Sequence, residues 1–243
     1  MGKNKKAKQE EPRGPFILAF ETATPVSSVA VFERGEVLAC QEYYSAQRHA
    51  RLITVMVEHL LEDLGLRVQD LSAVCVAKGP GSYTGLRVGV STAKGLCMAL
   101  DLPLIAVSSL SGLAARVQNL ARREQALICP MIDARRMEVY CEIYGSDLSV
   151  VEPVQARIVP EQPFDDLLAA QKVIFLGSGA AKCKELLETA SDNALVLEDL
   201  LSSASSFAGL AWKRYQAGEF EDLLSFEPFY LKDFVATKPK KLL

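Results

Sequence analysis

Residues 78–89 read KGPGSYTGLRVG. The run AVCVA before them has the look of a buried strand and VGVSTAKGLCMAL after them that of a helix, so the glycines stand where backbone amides can converge on a phosphate. The spacing, G-x-G-x-x-x-G, misses the dinucleotide fingerprint by one residue, the chain has no G-x-x-x-x-G-K-[ST], and Pro80 removes one N–H from any cradle. The competing reading is preferred: Gly79 and Gly81 make a sharp strand-to-helix turn, and Gly85, Gly89 and Ala93 recur along one helix face where another backbone can come close.

Glu21-Thr22-Ala23-Thr24 ends a strand and opens a turn. An acid followed by hydroxyls (Thr22, Thr24, Ser27 and Ser28) suits handling of a metal-bound phosphate; Ser, Thr and Pro25 equally suit a plain hairpin. In Asp133-Ala134-Arg135-Arg136, Asp133 has metal-binding chemistry and the arginines phosphate-binding chemistry, with an Asp–Arg hairpin turn the alternative. His49 and His59, the only histidines, are ten positions apart, too far along a helix for a metal pair, and His49 reads as a surface or capping residue. The cysteines (Cys40, Cys75, Cys97, Cys129, Cys141 and Cys183) form no C-x-x-C pair and read as reduced core residues. No serine elbow or Cys–His pairing marks a hydrolase nucleophile.

The elements that must position these residues run in a repeated order. From Phe16 the pattern is three strands, a helix over HARLITVMVEHLLEDLG closed by Gly65, then strand, helix, strand, helix; from about residue 126 the same course recurs. Each first strand ends in an acid, Glu21 or Asp133, and each fourth strand in Gly-x-Gly, which argues for internal duplication. The expected fold is α/β, a duplicated actin-like (ASKHA, ribonuclease H-like) architecture of two lobes, each a mixed sheet flanked by helices. Expected boundaries are a basic tail at 1–15, lobes at 16–120 and 121–232, and a basic tail at 233–243.

The 243 residues are 49% hydrophobic and 23% charged with a net charge of −3, which describes a globular chain without a global positive field for nucleic acid. With neither a spanning apolar stretch nor a secretion signal in sight, a cytoplasmic address and no membrane association are expected. Helix 49–64 carries more apolar positions than one stripe needs. Together with helix 85–100 it is expected to offer a partner interface through Leu52, Val55, Met56, Val57, Leu60, Gly85, Gly89 and Ala93. No catalytic, metal or cofactor residue is assigned. The alternative is an ATP-dependent kinase-like enzyme using Glu21, Asp133 and the glycine loops.

FETATPVSSVAVF, KGPGSYTGLRVGVSTAKGL, PLIAVSSLSGLA, IDARRMEVY and EPFYLK, in this order, closely resemble the TsaB (YeaZ) family of tRNA threonylcarbamoyladenosine synthesis, from about Phe16 to Lys232. Ser178 departs from the acid the family often has there. The resemblance implies a non-catalytic paralogue that binds the catalytic subunit TsaD, works with the ATPase TsaE, forms a homodimer when alone, and meets tRNA through the complex. The catalytic paralogue carries V-N-H-x-E-G-H, whose histidines hold the metal; here the positions are Val107-Ser108-Ser109-Leu110-Ser111-Gly112-Leu113. Serine ligates weakly and leucine not at all.

Overall fold

The computed structural model describes residues 14–44, 49–161 and 164–232. The basic tails, apart from Gly14 and Pro15, and the side chain of His49 lie outside the described residues. Strands β1 (Phe16–Glu21), β2 (Ser27–Glu33) and β3 (Glu36–Tyr43) form an antiparallel meander; helix α1 (His49–Leu64) leads to β4 (Leu71–Gly79), α2 (Tyr83–Leu100), β5 (Leu104–Ser108) and two short helices, α3 (Ser109–Ala115) and α4 (Gln118–Glu124). The course then repeats as β6 (Leu127–Asp133), β7 (Glu138–Tyr144), β8 (Val150–Ile158), α5 (Asp165–Ala170), β9 (Val173–Leu176), α6 (Ser178–Ala190), β10 (Ala194–Leu197) and α7 (Ala208–Ala217). The two five-stranded sheets have orders β3-β2-β1-β4-β5 and β8-β7-β6-β9-β10, the same arrangement strand for strand. This is the duplicated actin-like fold.

β1 shows why the strands read as continuous apolar runs: it lies between an antiparallel neighbour, with Ile17 opposite Phe32, and a parallel one, with Ile17 opposite Ala73, and both its faces are covered. Phe16, Leu18 and Phe20 pack beneath α1 and α2, whereas Ile17 and Ala19 face Phe207, Ala208 and Ala211 from the end of the chain. The final helices of the halves are thus exchanged. Residues 204–217 cover the first sheet, while Leu110, Leu113 and Ala114 of α3 pack with Ile128, Ile132 and Leu176 of the second. The two segments meet at Gly112, where an added Cβ would come within 2.2 Å of the Phe207 ring.

Beyond α7 the chain returns along the first lobe. The Glu221 amide donates to the Leu104 carbonyl and the Phe229 amide to that of Lys78, at 2.9 and 2.7 Å. The cysteines are unpaired, all buried except half-buried Cys40.

Candidate functional site

The glycine loop packs against its own chain. Helix α2 opens on Ser82, whose hydroxyl accepts from the Gly85 amide at 3.3 Å, and the Ser82 amide donates to the Ala23 carbonyl at 2.7 Å. Both amides are therefore spent internally, and Pro80 has none to offer. Gly81 and Gly85 admit the backbone of the turn after β1: an added Cβ would lie 2.3 Å from the Ala23 carbonyl oxygen at the first and 2.0 Å from that of Thr22 at the second. The preference for a turn and close packing over a phosphate cradle matches this geometry.

The hydroxyls that could have served a metal-bound phosphate are drawn inward as well. Thr22 Oγ1 donates to the Gly85 carbonyl at 2.8 Å, Thr24 Oγ1 donates to the Val26 carbonyl at 3.3 Å, and Ser28 Oγ accepts from the Ala204 amide at 2.8 Å. Glu21 is completely buried; its carboxylate accepts from the Ala23 amide at 2.6 Å and from the Ser202 hydroxyl at 2.7 Å. Burial raises its pKa above the ordinary 4.5, and these hydrogen bonds only partly offset the rise. The folded protein therefore holds this proton to higher pH than the unfolded chain does. The associated stability is present below pH 4.5 and is lost as pH climbs through the raised folded value. Glu21→Gln is expected to flatten this decline, which urea unfolding across the acid-to-neutral range would show as a variant gaining on the wild type with rising pH.

Asp133, the acid of the second half, is exposed, forms an ion pair with Lys182 and accepts from the Arg135 amide at 2.8 Å. Its amide donates to the Ser178 hydroxyl at 3.1 Å, and the two residues line, with Thr24 and Ser82 of the first lobe, a cleft of about 370 Å³ between the lobes. Glu21 and Asp133 thus sit in opposite environments and do not converge. Among the described residues, no three His, Cys, Asp or Glu side chains come together. Ser109, at the position of the first histidine in the resemblance, is fully buried, and its hydroxyl is turned to the Glu21 carboxyl. Leu113, at the second, belongs to the apolar core of the second lobe.

The helices expected to carry an interface lie side by side, with a difference in which residues are free. Met56, Val57, Leu60, Gly85, Gly89 and Ala93 are buried within the lobe, Leu52 is half-buried, and Val55 is exposed at 40%. Gly85 and Gly89 are turned onto Thr22, Ala93 packs in the core, and the stripe of α1 from Ile53 to Leu61 covers the sheet. What the helices leave open is a groove of about 850 Å³, floored by Val57, Leu61 and Leu96, walled by Ser91, Thr92 and Gly95, and edged by Glu58 and Glu62. Of the eight expected residues only Val57 lines it. Ser91 and Gly95 went unread, although two small residues four apart on a second face of α2 were a visible signal. An added Cβ at Gly95 would touch nothing within 4 Å.

Comparison with known proteins places this architecture. The family model TsaD, described as tRNA N6-adenosine threonylcarbamoyltransferase, matches residues 43–240. The chain is 38% identical over 179 residues to the tRNA threonylcarbamoyladenosine biosynthesis protein TsaB of Bacillus subtilis (strain 168), covering 71% of this chain and 75% of that protein. It is 32% identical over 230 residues to the protein of the same name from Escherichia coli (strain K12), covering 91% and 96%. The crystal structure of YeaZ from Pseudomonas aeruginosa aligns at a TM-score of 0.75 with 28% identity, over 90% of this chain and all, 100%, of that one.

Proposed function

The chain belongs to the TsaB (YeaZ) family, and from that premise we propose that it is a non-catalytic subunit of tRNA threonylcarbamoyladenosine synthesis that docks a TsaD-type catalytic paralogue on the groove between α1 and α2. The open groove carries the reading: it is an apolar recess of about 850 Å³, and its floor is rigid because Val57 and Leu61 are also core residues. A partner helix presenting apolar side chains, with cations placed for Glu58 and Glu62, has the complementary chemistry. In the absence of that partner a second copy of the chain uses the same face, giving the homodimer. A TsaE-type ATPase joins the assembly, and tRNA is met through the complex.

The substitution of the histidine pair by Ser109 and Leu113 supports a supporting role, since a leucine filling the core cannot ligate a metal. No helix among the described residues is long and apolar enough to cross a membrane, and the proposed work on tRNA fits the cytoplasm. The test is reconstitution: threonylcarbamoyl transfer to tRNA by TsaD-type and TsaE-type proteins, with and without this chain. Transfer is expected to depend on its addition, by on the order of a hundredfold or more if docking assembles the competent catalyst. Full transfer without it, or turnover by the chain alone, would contradict the proposal.

A further inference from the structure

A second recess, separate from the groove and from the Asp133 cleft, lies between the lobes and encloses about 440 Å³. The first lobe contributes Lys78 from the end of β4, Ser108 from the end of β5 and Ser111 of α3; the second half contributes Glu142 and Tyr144 of β7 and Arg214 of α7. Apolar walls come from Val107, Val154 and Leu210. The Tyr144 hydroxyl donates to Glu142 Oε2, so that carboxylate is occupied from its own strand.

The two cations are another matter. Lys78 and Arg214 are both half-buried, and neither side chain makes a hydrogen bond or ion pair with any described residue. Lys78 acts on Glu142 only through space. Partly desolvated cations short of counter-charge and of hydrogen-bond partners are costly, and at a cavity wall the cost is relieved by an anion inside. Two positive groups against one carboxylate leave a net single positive charge, which a monoanion balances and a dianion overshoots.

We propose that this recess binds a small organic carboxylate, its acid group held by Lys78 and Arg214 and its short apolar body lying against Val107, Val154 and Leu210. The volume, at roughly 30 Å³ per water displaced, suits a ligand of a dozen or so heavy atoms. Because the site draws on both lobes, its occupation also holds them at one mutual setting.

The test uses the full-length protein alone, so its outcome is independent of any partner. Binding of hexanoate and 3-phenylpropanoate is measured by saturation-transfer NMR and calorimetry against the neutral probes hexanamide and 3-phenylpropanamide and against inorganic phosphate. At least one carboxylate is expected to bind and its amide not to. Lys78→Met and Arg214→Met are each expected to weaken binding by about tenfold or more, the loss of one charge-assisted contact. Leu210→Trp, which fills the recess, should abolish it. Arg214→Lys keeps the charge and serves if the methionine variant fails to fold, with circular dichroism as the check. Carboxylates binding no tighter than their amides, phosphate binding more tightly than both carboxylates, or affinity unchanged in Lys78→Met would overturn the assignment.

Discussion

Gly85→Val is expected to destabilise the protein by about 3 kcal/mol or more, the upper end of what overpacking costs in a core. An added Cβ at Gly85 would stand 2.0 Å from the Thr22 carbonyl oxygen and 3.3 Å from the Ser82 side chain. The first contact is with backbone, in a turn fixed by the Thr22 hydroxyl donating to the Gly85 carbonyl itself and by the Ser82 amide donating to the Ala23 carbonyl. Nothing there rotates away, so either α2 lifts from the sheet or the turn after β1 is displaced. Either movement opens the apolar layer formed by Leu18, Phe20, Val76, Val90 and Ala93. For a chain of this size the melting temperature would fall by roughly 6–12 °C, with the urea midpoint falling in parallel. A variant as stable as the wild type would show that the close approach at Thr22 is not a structural requirement.

Gly95→Arg on the same helix is expected to have the reverse signature: folding intact, partner binding lost. Gly95 is exposed and has open space above its Cα, and a side chain at an exposed helix interior position replaces the residue least favourable to helix after proline. The arginine would extend across the groove toward Glu58 and Glu62, whose carboxylates edge it. Its stem would then occupy the space over Val57, Leu61 and Leu96 that an incoming helix needs. Melting temperature should be unchanged or raised, while affinity for the TsaD-type partner should drop at least about a hundredfold, near 3 kcal/mol, and threonylcarbamoyl transfer in the reconstituted system should fall with it. Calorimetric titration of the two purified proteins measures this directly; unchanged affinity would move the interface away from this groove. Gly95→Ala, which adds one methyl group, is the control expected to bind normally.

The opposite fates of these two glycines show what could be read from the chain and what could not. Local signals placed the elements well: the apolar run of β1 read as a strand, Gly65 closed α1, and the matched Gly-x-Gly at the ends of β4 and β9 pointed to the duplication. The four-residue spacing of Gly85, Gly89 and Ala93 correctly signalled that something approaches closely. It could not say that the approaching group was Thr22, 63 positions earlier in the same chain. The roles of Glu21 and Ser28 were hidden for the same reason. Their partners, Ser202 and Ala204, lie 181 and 176 positions downstream, and only the folded chain brings them together. The groove depends on how far apart two helices stand, which no helix periodicity records. The disposition of Lys78 and Arg214 likewise belongs to the joint between halves rather than to any segment.

The exchange of final helices also constrains how the molecule can be made. On a ribosome the strands of the first sheet emerge well before the segment that covers Ile17, Ala19, Phe32 and Ile105: Ala204–Ala217 follows the whole second sheet through the exit tunnel. Until then that face is bare, and the nascent first half is a client for whatever holds exposed hydrophobic sheets in the cell. The two halves, though copies of one plan, therefore mature together once α7 is out rather than one after the other.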